Sequence, residues 1–596
     1  MASDSDSGMA GDSGKDLEGA GSAGPARAGT GEDAPAVSDR GAANASAAAA
    51  AGNDASAVAP ATAIGVIGAG TMGAGIAQLA CKSGARTLLH DPIAGALQTG
   101  LARTRAGLAK EAEKGVLGAE EAAAAAERLQ GAAELSDLAS CELVIEAAPE
   151  RPEIKRELFE SLCAVLSADC VLATNTSSLP VTGVAAAATH PERVVGMHFF
   201  NPAPIMRLVE VIAGVRSGER ALAIAQATGE AMGRTVIRAS DVPGFLVNRC
   251  NRPFGLEALR LLGERIADVD AIDRICRMQG GFRMGPFELS DLVGVDVGFD
   301  VSRSFYELSF GEPRWRPSPL QARQVAAGLT GRKSGRGWYE YDGTAPHRPP
   351  DPSDPPEAGD LTAVGGLVVI SGEGQLAGEL REASAAAGYE VRRPDEPGGG
   401  ELPALVIHCE LTGPAEPASQ GAPQLVLCAG GTLAQLGARN AAAGFHVVGP
   451  LKRARLVELT QTGGTSPLAA ARAERFFESL HKHVVWVGDA PGLVLGRIVC
   501  QLINECAFAL GEGVGSATDI DQGMVLGLNH PRGPLSWADE IGLDHVLTVL
   551  DALSAHYREE RYRAAPALRR LVHEGRLGRQ TDAGFFDQPQ SRRVEA

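Results

Sequence analysis

From Ala61 onward, short apolar runs alternate with longer stretches in which apolar residues return every three or four positions. AIGVI (63–67) and TLLH (87–90) have strand length, and TMGAGIAQLACK between them carries its apolar residues on one helical face. CELVIE, CVLAT and VVGMHFF repeat the strand signal further on, with an Ala-rich helical region over about 93–129 and a helix containing Lys155 between them. Strands alternating with helices predict parallel β-α-β units in a doubly wound sheet. Past residue 240 the pattern changes. PGFLVNRCNRPFGLEALRLLGE, IADVDAIDRICRM and GPFELSDLVGVDV predict an all-α bundle closed by GRKSGRGWYEY, with Asp241 placed to cap a helix starting at Pro243.

The chain then repeats itself. After a Pro/Asp-rich linker that reads as semi-rigid and exposed, DAPGLVLGR at 489 restates DVPGFLVNR at 241. Ile520-Asp521, Gly533-Pro534 and Gly542-Leu543-Asp544 restate Ile272-Asp273, Gly285-Pro286 and Gly294-Val295-Asp296, all at one offset of 248. Between linker and repeat, LVVISGEGQLAGEL, LPALVIHCE and QLVLCAGGTL resemble a shortened sheet unit, with Ala377 at its third glycine position. VVGPLKRARLVELT echoes VVG…RLVE and keeps Glu458, on a reading in which the HFFNP segment and its histidine are lost. The expected organisation is a low-complexity tail over 1–60, a nucleotide-binding domain over 61–240 and a helical domain over 241–342. A linker (343–363), a degenerate nucleotide-binding-like domain (364–488) and a second helical domain (489–588) complete it.

Composition narrows the classes. Residues 1–60 are rich in Ala, Gly, Ser and Asp and nearly free of large apolar side chains, so the segment is expected to be disordered. A net charge of −18 argues against a nucleic-acid surface. The ten cysteines form no CxxC pair and no zinc-like cluster, and no metal is expected. With no apolar run of membrane-spanning length and no signal-peptide pattern, the expectation is a cytoplasmic protein that does not engage a membrane.

The chemistry-bearing residues cluster at the carboxyl ends of the predicted strands. Gly68, Gly70 and Gly73 form GxGxxG between strand and helix, which suits a dinucleotide pyrophosphate at a helix N-terminus. Asp91 ends the next strand, where a carboxylate accepts a ribose hydroxyl, and no Arg follows it, which favours NAD over NADP. Glu146 and Glu150 end the VIEAAPE strand, and Asn175, Thr176, Ser177 and Ser178 end the next. His198, Asn201 and Glu210 lie in VVGMHFFNPAPIMRLVEVI, where a carboxylate beside a histidine would build a general base.

GxGxxG with Asp91, VIEAAPE, NTSSL, HFFNPAPIMRLVE and DVPGFLVNR, in this order, resemble the 3-hydroxyacyl-CoA dehydrogenase family over about 62–342. That resemblance implies an α/β fold. A Rossmann-like NAD-binding domain is followed by an all-α, 6-phosphogluconate-dehydrogenase-like C-terminal domain, with a degenerate second copy of both. It implies NAD-dependent oxidation of (3S)-3-hydroxyacyl-CoA to 3-oxoacyl-CoA, with 3-hydroxybutyryl-CoA or 3-hydroxyadipyl-CoA as the expected substrate. His198 is then the base, Glu210 its partner, and Ser177 and Asn248 hold the substrate oxygen. Cofactor contacts carry over to Asp91, Glu150, Lys155, Asn175 and Lys333; Asn201 falls to the substrate, and Lys114 to the coenzyme A phosphates. The resemblance also implies association through the helical domain, as a homo-oligomer or as an internal pseudo-dimer of the two copies. Two rivals stand beside this reading: a hydroxyacid dehydrogenase acting on a free acid, and a non-catalytic NAD-binding protein.

Overall fold

A computed structural model of the protein describes residues 58–341, 343, 346–356, 366–396, 401–414, 421–436 and 441–587. Most of the expected disordered tail and part of the linker lie outside these residues. Two sheets organise the chain. In the first, β1 (Ala63–Ile67), β2 (Arg86–His90), β3 (Leu129–Ala132), β4 (Leu143–Glu146), β5 (Val171–Thr174), β6 (Val194–Phe199), β7 (Leu208–Ala213) and β8 (Thr235–Ser240) stand in the order β3-β2-β1-β4-β5-β6-β7-β8. β1, β4 and β5 are buried throughout, as strands covered on both faces must be. Every neighbouring pair is parallel except β6 and β7, which run antiparallel and set His198 opposite Glu210.

The second sheet repeats this plan. β9 (Leu367–Ser371), β10 (Glu390–Arg392), β11 (Leu405–His408), β12 (Gln424–Leu427), β13 (Ala443–His446), β14 (Leu456–Thr460) and β15 (His483–Val487) take the order β10-β9-β11-β12-β13-β14-β15. The antiparallel step falls between β13 and β14, where His446 sits opposite Glu458. Only the outer strand β3 has no counterpart among the described residues.

That register corrects the expected loss of the second histidine. His446 is the counterpart of His198, and the segment between His and Glu has the same length in both copies. The VVG at 447–449 follows the histidine rather than preceding it, so its likeness to the VVG at 194–196 is coincidental.

The helical clusters are duplicated down to their caps. Phe287 and Glu288 N–H donate to Asp273, while Leu535 and Ser536 N–H donate to Asp521. Trp338 and Tyr339 N–H donate to Asp291, as Phe585 and Phe586 N–H do to Asp539. Each carboxylate gives two amides a partner, although burial outweighs these bonds and pushes the Asp273 carboxyl up to about 7. Asp241 departs from expectation. No helix starts at Pro243; its carboxylate accepts from Val181 and Thr182 N–H at the start of the helix Val181–Ala185.

The two clusters meet along the helices Arg252–Gly263 and Leu495–Gly511, with reciprocal contacts. Arg249 binds Glu505 at 2.8 Å and Glu512 at 2.7 Å; Arg497 binds Glu257 at 2.8 Å and Glu264 at 2.6 Å. Each residue in one set lies 248 positions from its equivalent in the other, so the contacts are those of a twofold dimer written into one chain. Gly488 N–H to Ile266 O and Ser240 N–H to Val514 O extend the symmetry to the sheet edges. His530 of the second copy is buried against the first, its Nε2 at 3.1 Å from Asn251 Oδ1, and burial pushes its imidazole down to about 4. The described part of the linker is docked rather than exposed throughout: Asp351 pairs with Arg277 at 2.8 Å and His347 with Glu288 at 2.8 Å.

Arg497 is fully buried with two acids dependent on it, so Arg497→Leu is expected to destabilise the protein by about 3–5 kcal/mol in denaturant titration, since removal of one partner strands the other charges. A loss under about 1 kcal/mol would contradict that reading. The His530 imidazole is less basic folded than unfolded, so the unfolded chain takes up its proton first. Its stabilisation is present above pH 6.5 and is lost as pH falls to about 4. Comparing Tm against pH for wild type and His530→Gln should therefore show the variant losing less on acidification, by on the order of 2–3 kcal/mol. Parallel curves would refute it.

Candidate active site

The glycine-rich turn distinguishes fold from ligand. Gly68 adopts φ +93°, and a Cβ there would meet the Ala147 carbonyl oxygen at 2.6 Å. A Cβ at Gly73 would lie 1.7 Å from the Gly68 oxygen, so the helix Thr71–Lys82 could not sit so close to β1. At Gly70 it would meet nothing within 4 Å. The protein's own packing needs the first and third glycines, whereas the second keeps open space at a helix N-terminus, a cradle for a pyrophosphate. Asp91 closes the turn: Ala69 N–H donates to its Oδ2 at 2.9 Å and Ile93 N–H to its Oδ1 at 3.0 Å, leaving further lone pairs for a hydroxyl. The residues present fit a bound dinucleotide.

Beside this turn, Glu150 organises the loop after β5. Ser177 N–H, Ser178 N–H and Ser178 Oγ each donate to its Oε1 at 3.0 Å, and Thr176 donates to the same oxygen. Burial raises its carboxyl, but Lys155, the Thr176 hydroxyl and the two amides outweigh this and hold it below the usual carboxylate range. Lys155 itself is fully buried, 2.6 Å from Glu146 and 3.3 Å from Glu150. It is not positioned as an open cofactor contact; its ammonium is committed beneath the loop. Asn175 Oδ1 accepts from Phe199 N–H at 2.8 Å, fixing β5 to the end of β6.

His198 lies at 6% exposure with Nδ1 2.6 Å from Glu210 Oε2. A carboxylate only accepts, so Nδ1 carries the hydrogen and Nε2 presents its lone pair. The other oxygen of Glu210 accepts from Leu246 and Val247 N–H at 3.1 and 3.0 Å. Asn248 follows in that same first turn. Asn248 and Ser177 together line a cavity of about 290 Å³ whose remaining wall is mostly apolar and includes Phe254, Leu259, Phe287 and Trp338. Leu528 of the second copy completes it, and Asn251 and Arg252 line it as well. None of these three was singled out from sequence. Arg252 had a detectable signal, since it follows Asn248 at helical spacing.

The remaining candidates are less closely placed. Asn201 is exposed just past β6. Lys114 is exposed at the C-terminal end of the helix Ala94–Glu113, and no contact among the described residues draws it to the cavity. Lys333 pairs with Asp296 at 2.6 Å, beside Gly294 of the cavity wall. Its counterpart Gln580 lines a second cavity of about 170 Å³ together with Gly372 and Gly374, so this hairpin reaches the glycine-rich turn in the second copy.

The second copy keeps the backbone framework but places different contacts at its centre. Val494 N–H donates to Glu458 Oε2 and Leu495 N–H to its Oε1, whereas their equivalents share one oxygen of Glu210, and burial pushes the Glu458 carboxyl up to about 8. His446 is not bonded to it. Its Nε2 lies 3.1 Å from His545 Nε2, and its Nδ1 is buried with no partner among the described residues. A Cβ at Gly496, the counterpart of Asn248, would lie 2.2 Å from the His446 ring. The imidazole has swung into the space that the asparagine occupies in the first copy. Among the described residues, no cluster of His, Cys, Asp or Glu could hold a metal ion, and no helix is long and apolar enough to cross a membrane.

Comparison with known proteins agrees with this geometry. Residues 63–242 match the family described as 3-hydroxyacyl-CoA dehydrogenase, NAD binding domain; residues 244–341 and 492–588 both match the 3-hydroxyacyl-CoA dehydrogenase C-terminal domain. The 3-hydroxyadipyl-CoA dehydrogenase of Escherichia coli K12 is 35% identical over 85% of this chain and 96% of its own. The 3-hydroxybutyryl-CoA dehydrogenase of Bradyrhizobium diazoefficiens is 40% identical over 48% of this chain and 96% of its own, so it spans one copy. A crystal structure of 3-hydroxybutyryl-CoA dehydrogenase from Escherichia coli K12 superposes with a TM-score of 0.72 at 33% identity, covering 86% of this chain and 99% of that one. With both domain types matched along most of its length, the chain belongs to the 3-hydroxyacyl-CoA dehydrogenase family.

Proposed function

We propose that the chain oxidises (3S)-3-hydroxyacyl-CoA thioesters to 3-oxoacyl-CoA with NAD at a single site in its first half, the second half acting as a built-in partner subunit. The observation that carries this reading is the 2.6 Å contact between His198 Nδ1 and Glu210, which leaves the Nε2 lone pair unused by that carboxylate. Gly68, Gly70, Gly73 and Asp91 would hold the dinucleotide, joined by Asn175, by the loop that Glu150 anchors, and by Lys333 from the helical side. When bound, NAD supplies the acceptor for the hydride of C3.

His198 Nε2 takes the proton of the C3 hydroxyl, and Glu210 stabilises the imidazolium this creates. The Ser177 hydroxyl and the Asn248 amide hold the same oxygen, so the C–H bond faces the cofactor side of the cleft. The apolar walls exclude water and strengthen these few polar contacts. Asn201 borders the thioester side, and Lys114 is free to meet the coenzyme A phosphates. The relatives named for 3-hydroxybutyryl-CoA and 3-hydroxyadipyl-CoA make short acyl thioesters the substrates to examine.

General base catalysis contributes about 10²- to 10⁴-fold, so His198→Gln should lose at least about 100-fold in kcat on 3-hydroxybutyryl-CoA while retaining NAD affinity by fluorescence titration. Turnover within a few-fold of wild type would remove His198 from the mechanism. His446→Gln, by contrast, should leave kcat within about threefold, because that imidazole faces His545 rather than a substrate cleft. A loss as large as that of His198→Gln would place chemistry in the second copy.

A further inference from the structure

The cavity that holds Ser177 and Asn248 has one wall residue out of keeping with the rest. The guanidinium of Arg252 lies over the Phe305 ring, 4.9 Å from its centroid, and its Nε donates to the backbone oxygen of Asn248 at 3.0 Å. No acid among the described residues pairs with it. Burial lowers its basicity to about 10, with no neighbouring carboxylate to offset the effect. Its neighbours in the bundle differ: Arg249, Arg260, Arg277 and Arg314 are each paired with a glutamate or aspartate. The fold does not require a cation here either, since the counterpart in the second copy is Cys500, fully buried and uncharged.

We propose that Arg252 binds a carboxylate at the far end of the acyl chain, so that the preferred substrates are dicarboxylic 3-hydroxyacyl-CoA thioesters. The inference rests on the dehydrogenase reading and adds the residue that selects a dicarboxylic over a monocarboxylic chain. Arg252 stands four residues past Asn248, about 6 Å further along the helix axis. With Asn248 on the C3 oxygen, an acyl chain directed along this wall brings a carboxylate a few carbons beyond C3 within reach of the guanidinium. A cation left unpaired in an apolar wall has already lost much of its hydration, and the fork of a guanidinium matches a carboxylate bidentately. A neutral chain in the same place dehydrates Arg252 further and returns nothing, so the residue also selects against monocarboxylic substrates. The other anions of such a substrate, the coenzyme A phosphates, are common to every acyl-CoA and are separable by experiment.

The test compares 3-hydroxyadipyl-CoA with 3-hydroxyhexanoyl-CoA, six-carbon chains that differ in the terminal group, on the full-length protein with NAD. Wild type is expected to favour the dicarboxylic thioester in kcat/KM. In Arg252→Met that preference should fall by about 10- to 100-fold, the worth of a charge-assisted hydrogen bond, with Arg252→Lys between the two. A wild-type ratio near one, or equal losses on both substrates as a phosphate contact would give, overturns the proposal. If Arg252→Met does not fold, Arg252→Lys decides: it keeps the charge and loses the fork, and an unchanged ratio counts against Arg252. Turnover of 3-hydroxyhexanoyl-CoA with no preference leaves the dehydrogenase standing and removes only this inference. No turnover of either thioester removes both.

Discussion

The carboxylate of Glu210 joins three parts of the molecule that otherwise have no common point. One oxygen holds the imidazole of His198 across the antiparallel step of the sheet. The other takes the amides of Leu246 and Val247, where the first helix of the helical cluster begins. A fully buried carboxylate is stable only when its lone pairs are filled, so the sheet register, the histidine tautomer and the docking of the helix are set together. Asn248 is the next residue, and its approach to the cavity follows from that docking.

The second copy separates the structural part of this arrangement from the chemical part. Glu458 keeps both amide bonds and the antiparallel register, so the carboxylate ties sheet to helix there without a bond to histidine. What it has lost is the bond to histidine. With glycine at 496 the imidazole turns toward His545, and the space for a substrate oxygen closes. This copy forms half of the reciprocal interface: Arg249 and Arg497 each pair with glutamates from the opposite half, and Leu528 lines the cavity that holds Ser177 and Asn248. On the proposed reading, the duplicated chain carries one active site with a covalently attached partner.

Much of this fold is legible in the sequence alone. The glycine-rich turn and the β-α alternation are local signals, each written in a few neighbouring residues, and the fixed 248-residue offset emerges from matching such short motifs along the chain. The motifs that carry His198, Glu210, Ser177 and Asn248 are short as well, and the structure pairs the first two and sets the last two at one cavity. The failures concern pairing between segments. His446 was missed because a chance VVG after it imitated the VVG before His198, and only strand register distinguishes the two. The family resemblance makes Lys155 a cofactor contact, yet its helix turns it inward onto Glu146 and Glu150. Asp241 reads as a cap for the chain that follows it, but caps a helix some sixty residues earlier. Arg252 could have been flagged at its spacing from Asn248, although the absence of an acid beside it is a property of the folded bundle alone.

The most direct test of the account is a crystal structure of the full-length protein with NAD and acetoacetyl-CoA. The account predicts the C3 oxygen of the ligand within about 3 Å of His198 Nε2, with Nδ1 still on Glu210 and the side chains of Ser177 and Asn248 on the same oxygen. A ligand whose C3 oxygen avoids His198, or one seated against His446 and His545 in the second copy, would contradict it.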